Sequence, residues 1–395
     1  MQLVERHIIK RDTSEFRELD RLCFLSKNLY NAALYTIRQH YFATSKYLNY
    51  HSLNKQFVSS KQPDYYSLPA KVSQQTLKLL DKNFISFFSL LKKRDSNRKV
   101  RLCRYLDKLT GRFSLVYTIQ SISKRYLKRG YIKLTGVSFK IRTKIEPSKI
   151  AQVRITHRGD HIVIEVVYNV SSKQKKENNN RYCAIDLGVN NLATIASNVI
   201  KPIIINGKPI KSINQYYNKK RAELQAELKN NKKTTRRQQR LNLKRNNKIQ
   251  DYLHKSSRII TNHLVANDVN TLVIGYNTQW KQEVKMGSKT NQNFVNIPHS
   301  KFIEQLKYKC ELEGISVICN EESYTSKCSF LDNESIEKHE VYRGRRIKRG
   351  LFRPGSGREI NADLNGALNI LRKVVGEFEY PIEVCSTPAV MTVKW

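Results

Sequence analysis

The 395-residue chain carries 72 Lys and Arg against 33 Asp and Glu, a formal net charge of +39. A balance that basic calls for a polyanionic partner, nucleic acid first, and is silent on fold. No apolar run reaches the ~20 residues of a membrane span, and the seven cysteines are scattered without a CxxC pair, which argues against a disulfide framework.

The opening "MQLVERHIIKRD" is charged from its fifth residue and lacks a signal-peptide core, so a cytoplasmic location is expected. "QLVERHIIK" alternates as a strand does. In "FRELDRLCFLSKNLYNAALYTIRQHYF" the apolar residues Leu19, Leu22, Cys23, Leu29, Ala33 and Ile37 recur at helical spacing, broken where Ser26 falls on the stripe. A second helix is expected from Ser73, its face formed by Leu77, Leu80, Phe84, Phe87 and Leu91. From about Gly130 the period switches to two. "GYIKLTGVSFKIRTKI" and "QVRITHRGDHIVIEVVYNV" read as strands, with "HRGD" as a hairpin turn. The polar "SSKQKKENNNR", Ser171 to Arg181, has nothing to bury and marks a domain boundary.

After it comes "YCAIDLGVNNLATIASN", a buried strand ending at Asp186, with a turn expected at Asn206-Gly207 between further strands. The tract Tyr217 to Lys248 is the most basic of the chain and mostly helical in propensity. Its like charges repel one another unless an anion lies along it, which favours a nucleic-acid arm. Lys219, Lys220, Arg221, Lys232, Lys233, Arg236, Arg237, Arg240, Lys244 and Arg245 are its candidate contacts. "NTLVIGYN" is another buried strand. "HSKFIEQLKYKCELEG" is an amphipathic helix, and "ISVICNEESYTS" a strand running into Glu321 and Glu322. A basic stretch holds Arg343, Arg345, Arg346 and Arg349. "NADLNGALNILRKVV" is a helix with Asp363 in its first turn, and the tail beyond Gly376 looks irregular.

Asp186, Glu321 or Glu322, and Asp363 each interrupt an apolar element at its end. Alternating strands and helices suit a three-layer α/β domain in which such ends converge. Carboxylates gathered there repel unless divalent cations neutralise them. Mg²⁺ takes hard oxygen ligands, and two such ions about 4 Å apart stabilise both oxygens of a phosphodiester displacement. The structural alternative is that Asp363 answers the helix dipole and Asp186 caps a turn.

"AIDLGVNNLATIAS", "LVIGYNTQWKQ", "NQNFVNIPHSKF", "EESYTSKCSFLD", "GRRIKRGLF" and "NADLNGALNILRK" closely resemble, in order, the TnpB (OrfB) proteins of bacterial insertion sequences, relatives of the type V CRISPR effectors. The resemblance implies a multidomain α/β protein. A wedge-like β-barrel would span 1–12 and 110–175, with a helical recognition domain, 13–109, inserted in it. A RuvC-like nuclease domain of RNase H fold would span 180–375 with a basic helical insert at 211–258, followed by the tail 376–395. It implies an RNA-guided DNA endonuclease using Mg²⁺ or Mn²⁺. Its partners would be a guide RNA from the element's end and double-stranded target DNA with a short adjacent motif. A monomer with one RNA and no membrane contact is expected. Competing functions are a nuclease-dead guided repressor and an accessory transposase protein.

Position by position, Asp186 and Asp363 match the first and last catalytic aspartates of the family. The middle glutamate is missing: "LVIGYN" has Gly275 in its place. Glu322 is taken as the substitute metal ligand and catalytic residue, with Glu321 as the alternative. Lys281, Arg345, Arg346 and Arg349 join the nucleic-acid contacts. Trp280 would either stack near the site or anchor a core. Only Cys328 remains of the two CxxC pairs that many relatives carry, so no zinc is expected.

Overall fold

The computed structural model describes residues 1–93, 100–228, 234–277, 288–378, 380 and 388–393. The chain forms two compact units, Met1–Val170 and Ser171–Trp395.

In the first unit, strand β1 (Gln2–Lys10) leads into the long helix α1 (Ser14–Thr44). Thr13 starts that helix by accepting the Phe16 amide on its side chain at 3.2 Å. Helices α2 (Tyr50–Ser59), α3 (Pro63–Tyr66) and α4 (Ala70–Lys92) follow. Ser26, the break in the apolar stripe, is fully buried and pairs with Thr76 of α4 at 3.1 Å. The polar interruption is thus satisfied inside the helix–helix contact, as a buried hydroxyl must be.

Strand β2 (Leu115–Thr118), the short helix α5 (Lys124–Leu127), the two-residue strands β3 (Tyr131–Ile132) and β4 (Ile141–Arg142), and the hairpin β5 (Ile150–His157) and β6 (His161–Asn169) complete the unit. The "HRGD" hairpin is present. "GYIKLTGVSFKIRTKI" supplies only the two-residue strands rather than a strand-rich segment. The main sheet runs β1-β6-β5-β2, antiparallel throughout. Among the described residues no pairing joins β1 to β2, so an open sheet stands where a closed barrel was expected. One continuous core unites the helices with the sheet, from Leu19 and Leu77 to Val153 and Ile164.

The second unit begins with β7 (Tyr182–Leu187), β8 (Asn191–Ser197) and β9 (Ile203–Asn206), an antiparallel meander. Asn206-Gly207 does not make the expected hairpin turn, because helix α6 (Lys208–Ala226) starts directly after it. Its Lys208-Pro209 start fits a first helical turn, where proline's missing N–H costs nothing. Helix α7 (Arg236–Ala266) opens with a capping box between Thr235 and Gln238. Then come β10 (Thr271–Gly275), α8 (Ser288–Val295), α9 (His299–Leu312) and β11 (Ser316–Asn320). The hairpin β12 (Arg345–Lys348) and β13 (Leu351–Arg353), strand β14 (Ile360–Asn361), α10 (Ala362–Val375) and β15 (Ala389–Met391) end the unit.

The main sheet has the order β11-β10-β7-β8-β9-β15. β10 is parallel to β7 and β11 to β10. The tail is not wholly irregular: β15 adds to the sheet edge, parallel to β9. Successive strand residues face opposite sides. Cys183, Ile185 and Leu187 therefore enter the core beneath α7 and α9, while Ala184 packs under Ile370 and Leu371 of α10. Three layers result, with Asp186 on the α10 side.

Candidate metal centre

Asp186 is the last residue but one of β7. Ile185 lies beside Ile274 of the parallel strand β10, so the next residue along β10, Gly275, is abreast of Asp186. Gly275 in turn pairs with Asn320 at the end of β11, and Glu322 follows two residues later. Alternation turns Gly275 toward α10. A Cβ built there would meet Glu322 Oε2 at 2.9 Å and Ile370 Cδ1 at 2.5 Å. The Glu322 carboxylate thus reaches into the space that a side chain at 275 would claim.

Asn277 holds Glu322 in that position. Its Oδ1 accepts the Glu322 amide at 3.1 Å and its Nδ2 donates to Glu322 Oε1 at 3.4 Å. Thr325 closes the turn by donating its hydroxyl to the Glu322 carbonyl at 2.8 Å. Glu321 is exposed, ion-paired with Lys373 at 2.9 Å and hydrogen-bonded by Ser323. These contacts favour Glu322 over Glu321 as the residue turned inward.

Asp363 sits in the first turn of α10, whose N-cap, Asn361, accepts the amides of Asp363 and Leu364. Asn191 donates to Asp363 Oδ2 at 2.8 Å, and Arg346 of β12 to Oδ1 at 3.1 Å. One turn further along α10 lies Gly366, where an added Cβ would stand 3.0 Å from Asp186 Oδ2. A glycine there lets the helix close directly over the carboxylate.

Desolvation, then the charges of Asp363 and Glu322, push the Asp186 carboxyl well above its ordinary range, while Arg346 pulls the other way. Burial, then Glu321, pushes Glu322 up to about 7.

The donor set fits a hard divalent cation. It consists of carboxylate oxygens, which Mg²⁺ prefers, and Glu322 Oε2 is buried with no hydrogen-bond partner. An orphaned acceptor of that kind is costly unless something electropositive meets it. Among the described residues no three His, Cys, Asp or Glu side chains stand together as a finished ligand cluster. Asp363 instead faces Arg346 and Asn191.

Of the candidate nucleic-acid residues, Lys219, Arg221, Arg236, Arg237, Arg240 and Lys244 are exposed on α6 and α7, while Lys220 pairs with Glu223 at 2.8 Å. Arg245 is committed internally: it donates to Asn214 and to the Asn296 carbonyl, each at 2.9 Å. Arg345 and Arg349 are exposed on the β12–β13 hairpin. Lys232, Lys233, Trp280 and Lys281 lie outside the described residues. Sequence reasoning missed Asn191, Asn277 and Gly366. Gly366, three residues after Asp363 on the same helix, carried a usable signal, whereas the asparagines carried none.

The segment around Cys328 is tied to α10 by polar side chains. Asn365 and Asn369 donate to the Cys328 carbonyl at 2.9 and 2.7 Å, and Asn369 also reaches the Thr325 carbonyl at 2.9 Å. Arg372 binds Asn333 and the Glu334 carbonyl, and buried Glu334 accepts the Ser329 and Arg343 amides.

No helix among the described residues is long and apolar enough to cross a membrane. Residues 165–281 match the family model OrfB_IS605, probable transposase, and residues 299–370 match the Cas12f1-like TNB domain. The TnpB-like protein ORF457 of Acidianus two-tailed virus is 23% identical over 406 residues, covering 91% of this chain and 84% of that protein. Among solved structures, a Cas12f1-sgRNA-target DNA complex is similar at 16% identity and a TM-score of 0.40, covering 93% of this chain and 98% of that one. CasPhi-2 (Cas12j) bound to crRNA is similar at 10% identity and a TM-score of 0.44, covering 95% and 98%.

Proposed function

The chain belongs to the TnpB family, and from that premise we propose that it is an RNA-guided DNA endonuclease of a transposable element. The observation that carries the reading is the Glu322 carboxylate standing in the side-chain space of Gly275, abreast of Asp186. Asp186, Glu322 and Asp363 would hold a pair of divalent ions, Mg²⁺ or Mn²⁺. The strand order supports a RuvC-like domain: an antiparallel meander β7–β8–β9, extended on the other side of β7 by parallel β10 and β11. The bound metal supplies charge stabilisation at the oxygens of the scissile phosphodiester.

The chain's own residues do the rest. Asn277 orients Glu322, and Asn191 orients Asp363. Arg346 neutralises Asp363 while the cluster is metal-free and would turn to a phosphate when the metal enters, a role suited to its fork of donors. The exposed Arg and Lys of α6 and α7 would hold guide RNA or heteroduplex through backbone phosphates, with base pairing carrying sequence. The protein would act as a monomer with one guide RNA, on double-stranded DNA bearing a short adjacent motif.

The test is cleavage of a plasmid carrying the matching target by the protein co-purified with its RNA, in Mg²⁺. Linear product is expected from the wild type and from Glu321→Gln, and none from Asp186→Ala, Glu322→Gln or Asp363→Ala. Target binding without cleavage by the wild type would reduce the protein to a guided binder. Normal cutting by Glu322→Gln would remove that residue from the site.

A further inference from the structure

The unit Met1–Val170 carries an open bowl of about 650 Å³ beside the start of α1. Arg112 and Phe24 both line it, and Lys27 Nζ lies over the Phe24 ring, 3.9 Å from its centroid. The Arg112 guanidinium lies 5.0 Å from the centroid of the Phe24 ring. Asp20 grips one edge of that guanidinium with both oxygens, Nε to Oδ1 at 2.7 Å and Nη2 to Oδ2 at 2.9 Å. The third nitrogen, Nη1, donates to the carbonyls of Gly111 and Leu109 at 2.9 and 3.3 Å. Asp20 is itself braced by His157 at 3.1 Å.

Every nitrogen of Arg112 is therefore engaged by the protein. Its fork is not available to a phosphate, yet its side chain lines the bowl and stays 21% exposed. What it offers the bowl is a guanidinium held in place, with its hydrogen bonds already spent on the protein. Guanidinium planes and aromatic rings are the surfaces on which splayed-out bases stack. The rim differs. Arg17 and Arg21 stand one turn apart on α1, both exposed and both lining the bowl. Neither side chain makes a hydrogen bond or ion pair among the described residues. Free forks of this kind are what phosphate oxygens take.

We propose that the bowl takes one unpaired nucleotide of a bound nucleic acid, its base on the Arg112–Phe24 platform and its phosphates on Arg17 and Arg21. A duplex would use only the rim, because its base faces are covered by their neighbours in the stack. The proposal rests on the nucleic-acid partner argued above and not on cleavage.

An iodouridine-substituted single-stranded RNA, irradiated with the full chain and mapped by mass spectrometry after digestion, tests it. The expected result is an adduct on the peptide bearing Phe24, several-fold weaker when the same strand is annealed to its complement. Arg17→Gln/Arg21→Gln, which alters two exposed side chains and leaves Arg112 and Phe24 intact, is expected to lower that adduct several-fold while adducts elsewhere persist. Adducts elsewhere with none at Phe24, or a Phe24 adduct as strong with the duplex or in the double variant, would overturn the bowl. Absence of adducts anywhere would overturn the nucleic-acid partner along with it. Loss of cleavage alone touches neither.

Discussion

A Cβ on Gly275 would stand 2.9 Å from Glu322 Oε2, so the two positions compete for one space. Glu322→Gln is expected to lower cleavage by at least about 10²-fold, the upper end for groups that only support a metal ligand. Gly275→Glu in that background is not expected to rescue, because Ile370 Cδ1 blocks the new side chain at 2.5 Å. Adding Ile370→Ala is expected to open room and return part of the activity. Plasmid cleavage by the three variants in parallel measures this, and full rescue by Gly275→Glu alone would contradict the steric account.

Asn277 touches Glu322 through both ends of its amide. Asn277→Ala is expected to weaken metal affinity by about 10–100-fold, with most of the lost cutting restored at high Mg²⁺. A Mg²⁺ titration of rate, alongside Mg²⁺-dependent thermal shift of the uncut complex, separates that from general instability.

Glu322 has a carboxyl pushed up to about 7 from an ordinary 4.5. With its folded value above its unfolded one, it contributes stability fully below about pH 4.5, and that contribution is lost as pH rises through 7. Metal-free protein is therefore expected to lose up to about 3 kcal/mol from this group between those limits. Asp186, raised for similar reasons, adds in the same direction. Melting curves against pH should be flatter in Glu322→Gln and flatter again for wild type in Mg²⁺.

The Cys328 segment depends on hydrogen bonds from α10. Asn369→Ala removes donors to the Thr325 and Cys328 carbonyls and is expected to cost about 1–3 kcal/mol. Chelators that strip zinc are expected to leave the melting temperature unchanged. A drop on chelation, reversed by zinc, would contradict the expectation of no zinc.

On α7, charge and structure part company within about three turns. Removing Arg236, Arg237 and Arg240 together is expected to lower the salt dependence of RNA binding, by about one log–log unit for each phosphate these side chains neutralise. Arg245→Gln is expected instead to destabilise the helix pair by about 1–3 kcal/mol, since its partner Asn214 is buried and Asn296 half-buried. Salt-dependent binding and denaturation curves for both variants distinguish the two roles.

Much of this was legible in the sequence because burial imposes a period. The strand that carries Asp186 and the helix with Asp363 in its first turn are both found by alternation and helical spacing. Ser26 misled only in appearance, since a single hydroxyl on an apolar stripe is satisfied by a partner 50 positions away. Asn206-Gly207 failed as a hairpin signal because the same pair ends a strand before a helix. Strand β15 was missed because its three exposed residues show no alternation to read. In the sequence, offset alone separates Glu322 from Glu321. What distinguishes them physically is tertiary: Lys373 holds one outward and Asn277 turns the other in.

Strand β7 finds its parallel neighbour β10 only after the meander, α6 and α7 have been made, and α10 comes later still. On the ribosome, a nascent chain that has displayed Asp186 must wait for Asp363, 363 − 186 = 177 residues downstream, before the cluster closes. Long-range parallel pairings of this kind form late. A chain terminated between α7 and α10 would therefore keep the basic faces of α6 and α7 but lack Asp363.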